Sequence, residues 1–197
     1  LATAAALANE ARLHSANGVV EASGDTVDVA FLVLWAKLGL DRDDLLAATP
    51  QDSVIPYESE LGFSASAGDG LARVKGAPER ILAMCEGFDR VTAEAQVHLL
   101  AEAGYRVIAV AEGPAGAATG RLSPSDLRGL RLLGFAGLID PIRPEVPAAV
   151  AACRAAGVEV RMITGDHPET ALAIARQIYD GTPTERAVTG GELARLS

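Results

Sequence analysis

Apolar and polar positions change period several times along the chain. Leu1 to Leu13 is rich in Ala and Leu and predicts a helix that closes near Gly18. From Asp25 onward Val29, Phe31, Leu32, Trp35 and Leu38 mark a helix, with Asp25 as its cap and Gly39 as its stop. Asp41 caps a shorter helix through Ala48. The period then drops to two. Phe63-Ser-Ala-Ser-Ala67 and Leu71-Ala-Arg-Val-Lys75 alternate on either side of Gly68-Asp69-Gly70, which predicts a β-hairpin. Pro78 starts a helix to Met84 or Cys85. Thr92 caps another through Ala103, stopped by Gly104. Tyr105 to Ala111 and Arg131 to Ile139 read as strands, with a Gly/Ala/Pro loop, Gly113 to Gly120, between them.

After Asp140 the order becomes helix, strand, helix with short connections. Pro141, Pro144 and Pro147 stiffen the crossing. A helix to Ala156, a stop at Gly157, a strand from Val158 to Ile163 and a helix from Pro168 to Ile178 follow. This is α/β grammar and predicts a parallel sheet. The expected division is therefore 1–140 as an α+β domain, an antiparallel sheet with flanking helices, and 141–197 as a partial α/β domain. The second stretch is too short for a complete doubly wound sheet, so its remaining strands are expected outside this chain.

Composition narrows the function. The chain has 197 residues and a formal net charge of −9, which argues against a general nucleic-acid binder. Apolar residues make up 49%, enough for a buried core. The longest uncharged apolar run, Val29 to Ala36, is far too short to cross a bilayer. Leu1 to Asn9 lacks the basic start and cleavage site of a signal peptide. Cys85 and Cys153 stand in unrelated contexts and read as two reduced thiols. His14, His98 and His167 have no ligand spacing, so no metal site is expected from them. Only two of the 17 basic residues are lysines, Lys37 and Lys75, so each invites a question.

Two segments carry candidate chemistry. In Val74-Lys75-Gly76-Ala77-Pro78-Glu79 a lysine ends a strand, a glycine permits close approach, and a helix start offers free N–H groups. The same residues equally make an ordinary strand-to-helix turn. In Ile163-Thr164-Gly165-Asp166-His167 an apolar strand delivers Thr, Gly and Asp at its C-terminal end, where α/β folds bind ligands. A plain capped turn is the alternative. Asp140-Pro141-Ile142-Arg143 reads either as a hinge that brings Arg143 near a phosphate or as a rigid loop. Asp41-Arg-Asp43-Asp44 follows a glycine stop and reads as a solvated helix start.

In order, these segments resemble the large cytoplasmic loop of a P-type cation-transporting ATPase. Lys75 to Glu79 is the family's Lys-Gly-Ala-Pro-Glu signature, and Thr164 to His167 its Thr-Gly-Asp-His signature. Asp140 to Arg143 is similar to Asp-Pro-Pro-Arg, with Ile142 in place of one proline. Gly104 to Ala111 and Gly24 to Ala30 resemble two further family stretches. The resemblance implies a nucleotide-binding domain followed by part of a haloacid-dehalogenase-like phosphorylation domain. It implies ATP or ADP as ligand and Mg²⁺ bound mainly by residues elsewhere. It also implies a multi-pass membrane parent with this part on the cytoplasmic side, and the remaining phosphorylation, actuator and transmembrane domains as partners.

Residue by residue, the resemblance places Lys75 and Gly76 at the base of an adenosine pocket and Tyr57 at the adenine-stacking position. Asp28 stands where the family has a glutamate that reaches the adenine, and Arg106 where it has a phosphate-facing arginine. Gly62 and Ser59 replace two family basic residues, and Phe63 is expected to supply additional ring surface. Asp140, Arg143, Thr164, Gly165 and Asp166 match hinge and phosphate-side positions. The family's phosphorylated aspartate belongs to an Asp-Lys-Thr-Gly sequence that does not occur here, so this chain is expected to bind ATP without hydrolysing it. Stacking plus two local cations implies roughly millimolar-to-micromolar affinity. A free-standing nucleotide-binding regulatory module is the alternative.

Overall fold

The computed structural model describes residues 1–16, 19–115, 121–139, 142–164, 168–179, 187–193 and 195. In chain order the elements begin with α1 (Ala2–Leu7), β1 (Arg12–Ala16), β2 (Val19–Ser23), α2 (Thr26–Lys37) and α3 (Arg42–Ala48). Then come β3 (Ser53–Glu58), β4 (Phe63–Gly68), β5 (Leu71–Gly76), α4 (Pro78–Met84) and α5 (Arg90–Glu102). The chain continues through β6 (Arg106–Pro114), β7 (Arg131–Leu138), α6 (Val146–Ala155), α7 (Pro168–Ile178) and α8 (Gly190–Leu193). Contacts divide it into two compact units: Leu1–Ala93 with Val107–Ala136, and Glu94–Arg106 with Gly137–Ser197.

The first unit is built on a five-stranded sheet in the order β3-β4-β5-β6-β7. The β3–β4, β4–β5 and β5–β6 pairs are antiparallel. Alternation along the strands sorts the two faces. Phe63, Ala65 and Ala67 of β4, Ala72 and Val74 of β5, and Ala109 and Ala111 of β6 share one core with Ile81, Leu122, Leu127 and Leu130. The alanines keep that face thin, so the covering side chains approach closely. Ser64 and Lys75 are cross-strand partners on the opposite face. There α1 packs against β5 and α2.

Local chemistry sets most of the turns. Asp25 Oδ1 accepts from Val27 N at 2.9 Å and caps α2, and Asp41 Oδ1 accepts from Asp43 N at 2.7 Å and caps α3. Asp69 and Gly70 both have positive φ, 54° and 72°, as a two-residue hairpin turn requires. Gly76 is needed for a different reason: a Cβ there would lie 2.4 Å from the carbonyl oxygen of Gly62.

Four sequence expectations are corrected. The first helix stops at Leu7, and Arg12–Ala16 pairs with Val19–Ser23 as a hairpin. Asn9 breaks the helix, since its Oδ1 accepts from Ala11 N at 2.9 Å while its Nδ2 donates to Asp28 O at 2.8 Å. The strand Ser53–Glu58 was not expected; Pro56 is tolerable because β3 is an edge strand. Asp89, not Thr92, caps α5: its Oδ1 accepts from Val91 N at 3.1 Å and its Oδ2 from Thr92 Oγ1 at 2.6 Å. These bonds to the carboxylate lower the Asp89 pKa, that from the Thr92 hydroxyl most. Residues 158–163 form no strand, because no neighbouring strand among the described residues supplies a ladder.

In the second unit α6 packs on α7. Tyr179 Oη donates to Val160 O at 3.1 Å, and the Arg154 guanidinium lies 5.4 Å from the Tyr179 ring centre. The expected stop at Gly18, residues 116–120 of the expected loop, and the Gly165-Asp166-His167 turn fall outside the described residues. Among the described residues no helix is long and apolar enough to cross a membrane.

Candidate functional site

Lys75 is the penultimate residue of β5, on the face opposite the alanine-rich core, and only 3% of it is exposed. Each of its three ammonium protons has an acceptor. Nζ lies 2.6 Å from Asp28 Oδ1, donates to Ser64 Oγ at 2.9 Å, and donates to the carbonyl of Ala8. Ser64 Oγ in turn donates to Ala8 O at 3.1 Å. Burial lowers the Lys75 pKa below 10.5, and the neighbouring Asp28 carboxylate opposes that shift.

Asp28 sits on α2 at the same helical face as Phe31, Leu32 and Trp35, all of them buried. It is 7% exposed. Its Oδ1 takes Lys75 and its Oδ2 accepts from Glu10 N at 2.8 Å. The pair therefore joins α2, β5 and the exit of α1 through satisfied groups only. An acid on the apolar stripe of α2 was the one legible sign that a buried cation faces it. Ser64 and Asn9 gave no comparable sign, since the partners that tie them to this pair, Ala8 and Lys75 for Ser64 and Asp28 for Asn9, are not near neighbours in the sequence.

Tyr57 stands next to this row. Between Ile55 and Glu58 the β3–β4 register shifts, so Pro56 and Tyr57 together oppose Ser64. Ser64 is the cross-strand partner of Lys75. The bulge leaves Tyr57 47% exposed, while Phe63 on the other face of the sheet is 3% exposed and belongs to the core. The first unit thus places Tyr57, Ser64, Lys75 and Asp28 together, with Gly76 against the β3–β4 connection. Arg106, Arg143 and Thr164 belong to the second unit and are exposed. Asp140, Gly165 and Asp166 lie outside the described residues. No group of three or more His, Cys, Asp or Glu able to hold a metal occurs among the described residues.

This arrangement offers a half-exposed aromatic ring beside a sealed ion pair. The ring can take a flat, uncharged partner, and the nearby pair, through Ser64, fixes the strand that Tyr57 opposes. Comparison with known proteins gives a family for this geometry. The family described as P-type ATPase, cytoplasmic domain N, matches residues 1–145. The chain is 37% identical to the cation-transporting ATPase pma1 of Synechocystis sp., across 87% of this chain and 21% of that protein. It is 36% identical to the probable cation-transporting ATPase F of Mycobacterium tuberculosis, across 98% of this chain and 24% of that protein. It is 34% identical to the sodium/potassium exporting P-type ATPase cta3 of Schizosaccharomyces pombe, across 79% of this chain and 16% of that one. The chain therefore spans at most about a quarter of the length of these relatives.

Proposed function

The chain belongs to the P-type ATPase family, as its cytoplasmic domain N, and from that premise we propose that it is the ATP-binding part of an ATP-driven membrane cation pump that works through an aspartyl-phosphate. The observation that supports this most is the row across β3, β4 and β5, in which the half-exposed Tyr57 opposes the buried Ser64, which in turn pairs with Lys75 and through it with Asp28. The adenine stacks on the Tyr57 ring. Lys75 acts at the floor through its charge and its hold on the surrounding backbone, because all its protons already have protein acceptors. Arg106 serves the phosphates. Residues 141–197 are the start of a haloacid-dehalogenase-like phosphorylation domain, with Asp140, Arg143, Thr164, Gly165 and Asp166 on its hinge and phosphate side. Mg²⁺ comes with the ATP phosphates and is held mainly by other segments of the parent.

This division of labour makes binding and chemistry separable. ATP binds here, and the reacting carboxylate comes from an Asp-Lys-Thr-Gly sequence that this chain does not contain. Stacking one base on an aromatic ring contributes about 1–3 kcal/mol. Tyr57→Ala should therefore weaken ATP binding about tenfold or more, and Tyr57→Phe should keep it. Calorimetric titration with ATP tests this, with tripolyphosphate as the control that lacks a base. Equal binding of ATP and tripolyphosphate, or an unaffected Tyr57→Ala variant, refutes the reading.

A further inference from the structure

Arg42 opens α3, yet its side chain serves backbone far from that helix. Nε donates to Ala6 O at 3.3 Å, Nη1 to Ala11 O at 3.0 Å and Nη2 to Asn9 O at 2.5 Å. One guanidinium thus gathers three carbonyls from a single turn of chain. Its planar fork suits fixed acceptors in a way an ammonium cannot. Only Ala6 belongs to α1; Asn9 and Ala11 lie beyond it, so the contact exceeds a helix cap. The turn it holds is the one that presents Ala8 O to Lys75 and Ser64, and Glu10 N to Asp28.

We propose that Arg42 is a positioning residue: by clamping Ala6 to Ala11 it fixes Ala8 O and Glu10 N against Lys75 and Asp28, and so keeps the floor of the nucleotide site in shape. This rests on the assignment of Asp28 and Lys75 to that site. Without the clamp the exit of α1 is released, Ala8 O leaves the ammonium, and Lys75 becomes accessible. Arg42 itself touches no nucleotide.

The sequence provides a built-in assay, since Lys37 and Lys75 are the only lysines. Lys37 is exposed and Lys75 buried. Acetic anhydride labelling of the whole chain, read by mass spectrometry as the Lys75-to-Lys37 ratio, reports the clamp with its own internal control. Arg42→Gln should raise that ratio and weaken ATP binding, each by at least about tenfold, the effect of losing even one of its three charge-assisted hydrogen bonds. Arg42→Lys, which keeps the charge without the fork, should fall between it and the unmodified chain. Circular dichroism shows whether each variant is folded; if Arg42→Gln is not, Arg42→Lys carries the test. An unchanged labelling ratio in a folded variant overturns the clamp. A raised ratio with ATP affinity retained overturns the positioning role. An unmodified chain that binds no ATP refutes the nucleotide reading itself, and the positioning role with it, whatever the labelling shows.

Discussion

Removing the ammonium of Lys75 while leaving Asp28 in place strands a carboxylate that is 7% exposed. Lys75→Met keeps much of the side-chain volume and deletes only the charge and its three bonds. Ala8 O retains the Ser64 hydroxyl at 3.1 Å, so the backbone loss is small. The cost falls on Asp28 Oδ1, which loses its 2.6 Å partner. Breaking a buried pair from one side costs about 3–5 kcal/mol. The double variant Lys75→Met/Asp28→Asn tests the reasoning further. An asparagine at 28 keeps an acceptor for Glu10 N, now at 2.8 Å, but removes the stranded charge. It should recover at least about 2 kcal/mol of the loss, the coupling expected of two groups in direct contact. Urea unfolding followed by the fluorescence of Trp35 is the assay. Trp35 is the one tryptophan, is buried, and lies on the helix that carries Asp28. A loss below about 1 kcal/mol, the range of an exposed pair, or a double variant no more stable than the single, refutes the account.

Three other outcomes follow from the same geometry. Ser64 and Ser66 lie two residues apart on one face of β4, but Ser64 bridges Lys75 and Ala8 while Ser66 Oγ is buried without a partner among the described residues. Ser64→Ala should cost about 1–3 kcal/mol and Ser66→Ala should be neutral or stabilising; thermal melts showing the reverse order contradict the network. Gly76→Ala drives a methyl within 2.4 Å of Gly62 O and 2.6 Å of Phe63 Cα, so Tm should fall by about 2–4 °C for each kcal/mol lost to overpacking. An unchanged Tm would mean that β5 does not approach the β3–β4 connection as described. Burial raises the Cys85 thiol from 9.0 to about 11. The unfolded chain therefore releases that proton first, and stability should fall as pH rises from 9.0 to about 11, a slope that Cys85→Ala removes. Urea midpoints across that range check it, and an identical slope in the variant refutes it.

The parts of the fold that were legible are those set by near neighbours. Asp25 and Asp41 cap the helices they precede, Asp69-Gly70 supplies its own positive φ, and Pro78 starts α4, so each could be read from a few residues. The strands Arg12–Ala16 and Ser53–Glu58 could not, because each exists only through pairing with another segment. Val158–Ile163 shows the converse, a strand-like sequence with no ladder to join among the described residues. The signature beginning at Lys75 was legible as a segment, but the direction of its side chain was not. A strand-end lysine beside a glycine reads as one facing a ligand. Its orientation depends on Asp28 and Ala8, both far back in the chain, and on an α1 exit tethered by Arg42 and by Gln51 Nε2, which donates to Leu7 O. Apart from Asp28 on the apolar stripe of α2, none of those contacts leaves a local sequence pattern.

The adenine ring is proposed to stack on Tyr57, opposite the Ser64 that pairs with Lys75. Intermolecular NOEs in an NMR titration of the chain with ATP test it most directly. The account predicts contacts from the adenine protons to the Tyr57 ring, together with shifts in the backbone signals of Ser64 and Lys75. Saturating ATP that leaves Tyr57, Ser64 and Lys75 unmoved, or adenine contacts confined to residues elsewhere, would contradict it.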